Sequence, residues 1–358
     1  MEDLRKLTNK EPKIIVKQEI KKIDNTNPFI HDTVCLIGGF ETDENTNVPT
    51  LVQTIEKAEE IYGDDTSIDA NAALRQILGD NKVSNVLIVN ITTMSGQTAQ
   101  RSLTATKLED ALEALDLIDF DILYIADDLT DTFITTVDTF AAARFEAKNP
   151  FGFVCSVSRA SVAAYKTTAG KVGDFCYALI NQKIDVADEE LSLVESGAFV
   201  TKEIALTSIA DSLTAKVIPD ITGLQDVYTF GTGSDGLELT GVGYLLFRLI
   251  NATNNTYEAV NSANNNGLDL YISRVRDIIV RDFALRDFLG DRSNTITLEM
   301  IKMECNRIYS KFKDLGLIEG MNFAVQKKDS ETVEVIINTI QFAGIITEID
   351  VFITIEVI

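Results

Sequence analysis

Thr33-Val34-Cys35-Leu36-Ile37-Gly38-Gly39 is the stretch on which the fold turns. It is a short apolar run without alternation, closed by two glycines, the pattern of a strand covered on both faces. Asn85–Ile91 (NVLIVNI), Asp121–Ala126 (DILYIA) and Phe151–Val157 repeat the pattern. Helical periods lie between them. Thr50 stands at capping-box spacing from Gln53, and Leu51, Ile55, Ala58 and Ile61 recur at helical intervals up to Gly63. Further helices are predicted over about Ile68–Leu78, Leu108–Leu115 and Asp131–Ala147. Strands alternating with helices predict an α/β fold, a mostly parallel sheet with helices on its faces.

Beyond this core the pattern loosens. Short helices are read near residues 160–169 and 188–195, a strand near 175–180 and a helix over Phe199–Ser212. Asn251–Gly267 reads as a turn-rich connection. Leu268–Leu289 and Ile296–Leu315 are long amphipathic helices, the second with Met300 and Met303 in its apolar stripe, and Val333–Phe342 is a strand. This end therefore has an α+β character. Both termini carry alternating strands: Ile14, Val16 and Ile20 share one face near the start, and Ile349, Val351, Ile353, Ile355 and Val357 do so at the other end. The expected organisation is an arm over 1–30, an α/β domain over 31–240, a helical and β domain over 241–344 and a second arm over 345–358. A terminal strand needs a sheet edge, supplied by its own subunit or by another; the residues leave both open.

The 358 residues are 45% apolar and 24% charged, a globular balance, with 32 basic and 55 acidic side chains and a net charge of -23. Such a balance excludes nucleic acid as the main partner. The charge is uneven: +2 over 1–30, -21 over 31–267, +2 over 268–313 and -6 over 314–358. Charge complementarity makes the two basic stretches candidates for facing a negative partner. Cys35, Cys155, Cys176 and Cys305 sit in apolar runs without C-x-x-C spacing and read as reduced, buried side chains. No secretory leader and no run of membrane-spanning length is read, so cytoplasmic synthesis without membrane insertion is expected.

Motifs for chemistry are sparse. Gly231-x-Gly233-x-x-Gly236, after the strand-like Asp226–Phe230, matches a dinucleotide fingerprint, but Asp235 sits inside it and no βαβ unit follows. Gly38-Gly39 lacks a third glycine, and Gly170-Lys171 lacks the rest of a P-loop. Asp127, Asp128 and Asp131 could hold a cation or cap a helix. The only histidine is His31. Arg274 and Arg281, seven apart on one helix, share a face, with the i,i+4 pair Asp277–Arg281 beside them. No catalytic set, metal site or cofactor emerges. The enzymatic alternative is an α/β protein holding a nucleotide or phosphorylated ligand at a glycine turn.

The order of features resembles the contractile tail sheath proteins of phages and phage-like injection particles. The resemblance starts at Thr33–Gly39, runs through Pro49-Thr50-Leu51-Val52 to the helix ending Tyr62-Gly63, and continues through Ala72-Ala73-Leu74 and Val86–Asn90. It returns at Arg274-Val275-Arg276-Asp277, at Leu315–Ile318 and in the strand after Phe342-Ala343-Gly344. The large β-rich insertion of many sheaths is missing, since Thr92–Thr106 is short, and so is a Pro-rich signature before the final strand. The resemblance implies a non-enzymatic subunit that polymerises with itself around a tail tube, with baseplate and tail terminator as further partners. It implies a place in a virion tail or phage-like particle assembled in the cytoplasm, terminal arms completing sheets in neighbouring copies, and Arg274 and Arg281 facing the tube.

Overall fold

Thr33–Gly38 (β1) lies inside a six-stranded sheet and pairs in parallel on both sides. The structure, a computed structural model, describes residues 33–79, 82–209, 211–283, 297–327, 333–342 and 348–349. After β1 come Thr50–Val52 (β2), Ile55–Tyr62 (α1), Asp69–Leu78 (α2), Asn85–Asn90 (β3), Thr93–Ser95 (β4), Thr98–Gln100 (β5) and Ala105–Leu115 (α3). Ile122–Asp128 (β6), Asp131–Glu146 (α4), Gly152–Ser156 (β7), Val162–Ala169 (α5) and Cys176–Ile180 (β8) complete the sheet unit. The order is β2-β3-β1-β6-β7-β8, and only β2 runs antiparallel. This is the mostly parallel, helix-flanked sheet expected from the apolar runs.

Alternate residues of each strand enter different cores. Val34, Leu36, Val86, Ile88 and Tyr124 pack beneath α1 and α2. Cys35, Ile37, Leu87, Val89 and Leu123 pack beneath α3 and α4. Burial on both faces is why these strands read as unbroken apolar runs. The Gly38-Gly39 turn serves packing: a Cβ on Gly39 would stand 2.2 Å from the Arg101 carbonyl oxygen, and one on Gly38 2.6 Å from the Ala70 Cβ.

The chain continues with Ile184–Val186 (β9), Glu189–Glu190 (β10), Leu193–Leu206 (α6), Ile221–Leu224 (β11), Asp235–Thr240 (α7), Phe247–Asn251 (β12) and Thr256–Ala259 (β13). Leu270–Phe283 (α8), Leu298–Asp314 (α9), Ile318–Lys327 (β14), Val333–Phe342 (β15) and Glu348–Ile349 (β16) follow. α8, α9 and the β14-β15-β16 sheet share a third core around Val275, Ile279, Ile308, Phe312, Ile337 and Phe342.

Several local readings are corrected. Thr50 opens no helix: its segment pairs antiparallel with Val86–Ile88, and Thr54 caps α1 by accepting from the Lys57 amide. The helix read near 188–195 is a short strand followed by α6, which Ser192 and Glu195 start with a reciprocal capping box, earlier than the Phe199 expected. Asn251–Gly267 holds the second strand of the β12–β13 hairpin. Asp226–Phe230 forms no strand.

Candidate functional site

Among the described residues, β14 and β15 offer the longest sheet edges. Its ladder skips Glu319 on β14 and Asn338 on β15. A one-residue bulge moves the buried side chains to the other parity, so Val335 and Ile337 are buried on one side of Asn338 and Ile340 and Phe342 on the other. That apolar face lies on α8 and α9. Glu348 and Ile349 pair with Gln341 and Ile340 of the same chain. Among the described residues, no strand pairs with the outer edge of β14, and the edge of β15 that faces away from β14 has no partner over Val333–Thr339. Of the predicted arm positions only Ile349 is described; Ile14, Val16, Ile20, Val351, Ile353, Ile355 and Val357 lie outside the described residues.

Arg274 and Arg281 do not face outward, and the tube-facing expectation is corrected. α8 is buried on nearly every side from Leu270 to Val280 because it lies between the sheet domain and the C-terminal layer. Arg274 is 3% exposed, and its Nη1 donates to the Thr207 carbonyl oxygen at 2.7 Å. Arg281 reaches the sheet domain, donating through Nη1 to Asp121 Oδ1 at 2.7 Å and through Nη2 to the Pro150 carbonyl at 2.7 Å. Arg276 is ion-paired with Asp277 at 2.8 Å and lies between the Phe145 and Phe175 rings. Asp277 also accepts from the Tyr177 hydroxyl at 2.9 Å, so the i,i+4 pairing with Arg281 read from spacing gives way to contacts across the fold. Burial pushes the Asp277 carboxyl up, and the Arg276 guanidinium opposes that.

α9 carries the outward charged surface that α8 lacks, with Arg307 ion-paired to Glu304 and Lys302 to Glu299. It holds four basic and three acidic side chains, and Met303 at its centre is 71% exposed, not buried as its place in the stripe predicts. Met300, Arg307, Lys311 and Lys313 are exposed beside it, with Lys311 bound to Asp282 of α8 at 2.9 Å. The sequence signal for this face is the misfit of Met303 in the helical period. The β14 edge escapes sequence reading because the bulge at Glu319 puts Ile318 out of step with the alternating Met321, Phe323 and Val325.

The glycine motif has no cradle. Ser234 turns its amide back on Gly231 and its hydroxyl on Thr229, the Gly236 amide bonds Thr229, and α7 after it is six residues long. A cleft of about 570 Å³ opens at the C-terminal ends of β1 and β6, the switch point of the sheet, where open α/β folds take ligands. Asp69, Asp127 and Asp128 line it, which disfavours a phosphate. Its Arg101 guanidinium is engaged by the Phe40 and Glu41 carbonyls. Burial pushes the Asp69 and Asp127 carboxyls up, and each feels a further carboxylate. Asp131 caps nothing: Thr130 is the N-cap of α4, and Asp131 accepts from Thr168 at 2.7 Å and Arg159 at 2.8 Å, which hold its carboxyl down.

No protein-family model matches this chain, and no curated protein matches its sequence. Solved structures do. A sheath tail protein from Listeria innocua superposes with a TM-score of 0.71 at 11% identity, over 92% of this chain and 96% of that one. One from Desulfitobacterium hafniense gives 0.68 at 13% identity, over 91% and 97%. This is the tail sheath fold. A chain of the anti-feeding prophage helical sheath in its contracted state shares it with a TM-score of 0.63 at 13% identity, over 91% and 92%. A match over more than 90% of the chain takes in both the α/β sheet unit and the C-terminal layer.

Proposed function

We propose that this chain is the structural subunit of a contractile tail sheath. Copies polymerise as a helical or stacked-ring array around a tail tube, and contraction of the array drives the tube through a target envelope. The observation that carries this reading is the reciprocal coverage above 90% with sheath proteins, one of them in a contracted helical assembly. The role needs no catalytic residues. Its partners are further copies of the chain, the tube protein, the baseplate and the tail terminator. Its place is a virion tail or phage-like particle assembled in the producing cell's cytoplasm.

Two surfaces support the reading. The edges of β14 and β15 can accept strands, and the alternating segments around Val16 and Val351–Val357 supply strands of the right kind. Main-chain pairing of that sort holds subunits together while side-chain contacts rearrange. The outward face of α9, with Arg307 and Lys313, takes the tube-facing role that Arg274 and Arg281 cannot fill. Negative-stain microscopy of the protein co-expressed with its tube protein tests this reading. Striated tubes are expected; discrete particles no larger than a dimer would refute it.

A further inference from the structure

Asn266-Gly267 is the only Asn-Gly pair of the sequence, and both residues are exposed in the turn that leads into α8. Gly267 has a φ of +79°, and a Cβ on it would meet nothing within 4 Å. No side chain of its own therefore shields its amide nitrogen. Two bonds keep that nitrogen and the Asn266 side chain occupied. The Gly267 amide donates to the Asn264 carbonyl at 2.9 Å, and Asn266 Nδ2 donates to Asp174 Oδ1 at 2.5 Å. The buried Asn264 shapes the rest of the turn. Its Oδ1 accepts from the amides of Asn266 and Leu268 at 3.0 Å each, and its Nδ2 donates to the Asp174 carbonyl at 3.3 Å. The same carbonyl accepts from Arg276 Nη2 at 3.3 Å. Asp174 stands just before β8, so these bonds fasten the sheet domain to the entry of α8.

We propose that Asn266 is a site of spontaneous deamidation and that Asp174 is the brake on it. The Gly267 amide nitrogen gives its proton to solvent and attacks Asn266 Cγ. A Cγ–N bond forms, the Cγ–Nδ2 bond breaks and ammonia leaves, which closes a succinimide ring. Water then opens the ring at either of its two carbonyls, yielding aspartate or isoaspartate. One water is consumed and one ammonia released, with no change of oxidation state. The attack needs Cγ and the nitrogen to meet in line. While Asp174 holds Nδ2 and Asn264 holds the Gly267 amide, the turn must open first. Conversion then prevents it from closing again. A carboxylate replaces the donor that faced Asp174, and isoaspartate adds a methylene to the main chain of a turn bonded shut between Asn264 and Leu268. The link between the sheet domain and α8 is loosened irreversibly.

The test is peptide mapping by mass spectrometry of the full chain held in mildly alkaline buffer, with isoaspartyl methyltransferase labelling to count isoaspartate. Asn266 should convert ahead of every other asparagine. Asp174→Ala removes the acceptor and should speed conversion about fivefold, the worth of one hydrogen bond of this kind. Asp174→Asn keeps an oxygen acceptor and should stay near the unmodified rate. The converted chain, separated by its added negative charge, should melt about 2 °C or more below the unconverted one. Should Asp174→Ala not fold, the unmodified chain in urea replaces it: unfolding frees both groups, and conversion should outpace that of the folded chain severalfold. Earlier conversion of another asparagine, an unchanged rate in Asp174→Ala, an Asp174→Asn rate as fast as that of Asp174→Ala, equal rates folded and unfolded, or unchanged melting after conversion would each overturn the proposal.

Discussion

Arg144 is 1% exposed, and its guanidinium donates to the carbonyls of Leu115, Asp116, Ile118 and Asn149. It binds carbonyls at and just beyond the end of α3, of which that of Leu115 also accepts from the Ile118 amide, while resting among the rings of Phe120, Phe140 and Phe151. Arg144→Leu keeps much of the volume and takes the shared donor from those acceptors, so a loss of about 3 kcal/mol or more is expected in denaturant unfolding. Asp127 gives a pH-dependent counterpart. Burial raises its carboxyl above the unfolded value, so the folded state prefers the neutral form. The resulting cost is absent below the carboxylate range and grows as pH rises through the raised value. Asp127→Asn keeps an acceptor for the Asp128 and Leu103 amides and removes the cost. Its melting temperature should exceed that of the unmodified protein at neutral pH and converge with it in acid; a variant less stable at neutral pH contradicts this.

Elements differ in how far their residues announce them, and α8 and α9 show why. Both are amphipathic by pattern, yet α8 is enclosed and α9 is not, because a helix between two layers must satisfy its charges by contacts that spacing cannot display. The parallel strands are legible, since double-sided burial writes itself as an apolar run; so are the helices between them, to within a turn except for α1, which starts five residues after the Thr50 expected. β14 is hidden by its bulge, and β12 and β13 by short length and an asparagine-rich turn. The same contrast separates two charge reversals. Arg274→Glu aims a carboxylate at the Thr207 carbonyl inside the fold and should collapse the subunit in circular dichroism. The double change Arg307→Glu with Lys313→Glu sits on an exposed face and should leave unfolding within about 0.5 kcal/mol of the unmodified protein. Its co-sedimentation with tubes should drop at least tenfold; retention on tubes removes α9 from the tube contact.

At the scale of the whole molecule, stability and assembly should separate. The three cores draw on residues from Val34 to Phe342, and the only described pairing beyond Phe342 is that of Glu348 and Ile349 with the end of β15. A chain stopped after Gly344 therefore keeps every described core side chain and loses one short ladder, at a cost of about 1 kcal/mol. If the alternating segment from Ile349 onward completes a sheet of another copy, the same change removes a whole strand's worth of main-chain bonding at each junction of a polymer. The effect then multiplies along the array, whereas the effect on the subunit does not. The shortened protein should melt within a few degrees of the full chain and fail to form striated tubes at concentrations where the full chain forms them. Polymers of unchanged length would show that the strand serves its own subunit, and a large fall in melting temperature would show that it belongs to the third core. Sedimentation and melting of this one truncation read the two roles independently, because the first depends on contacts between copies and the second on contacts within one.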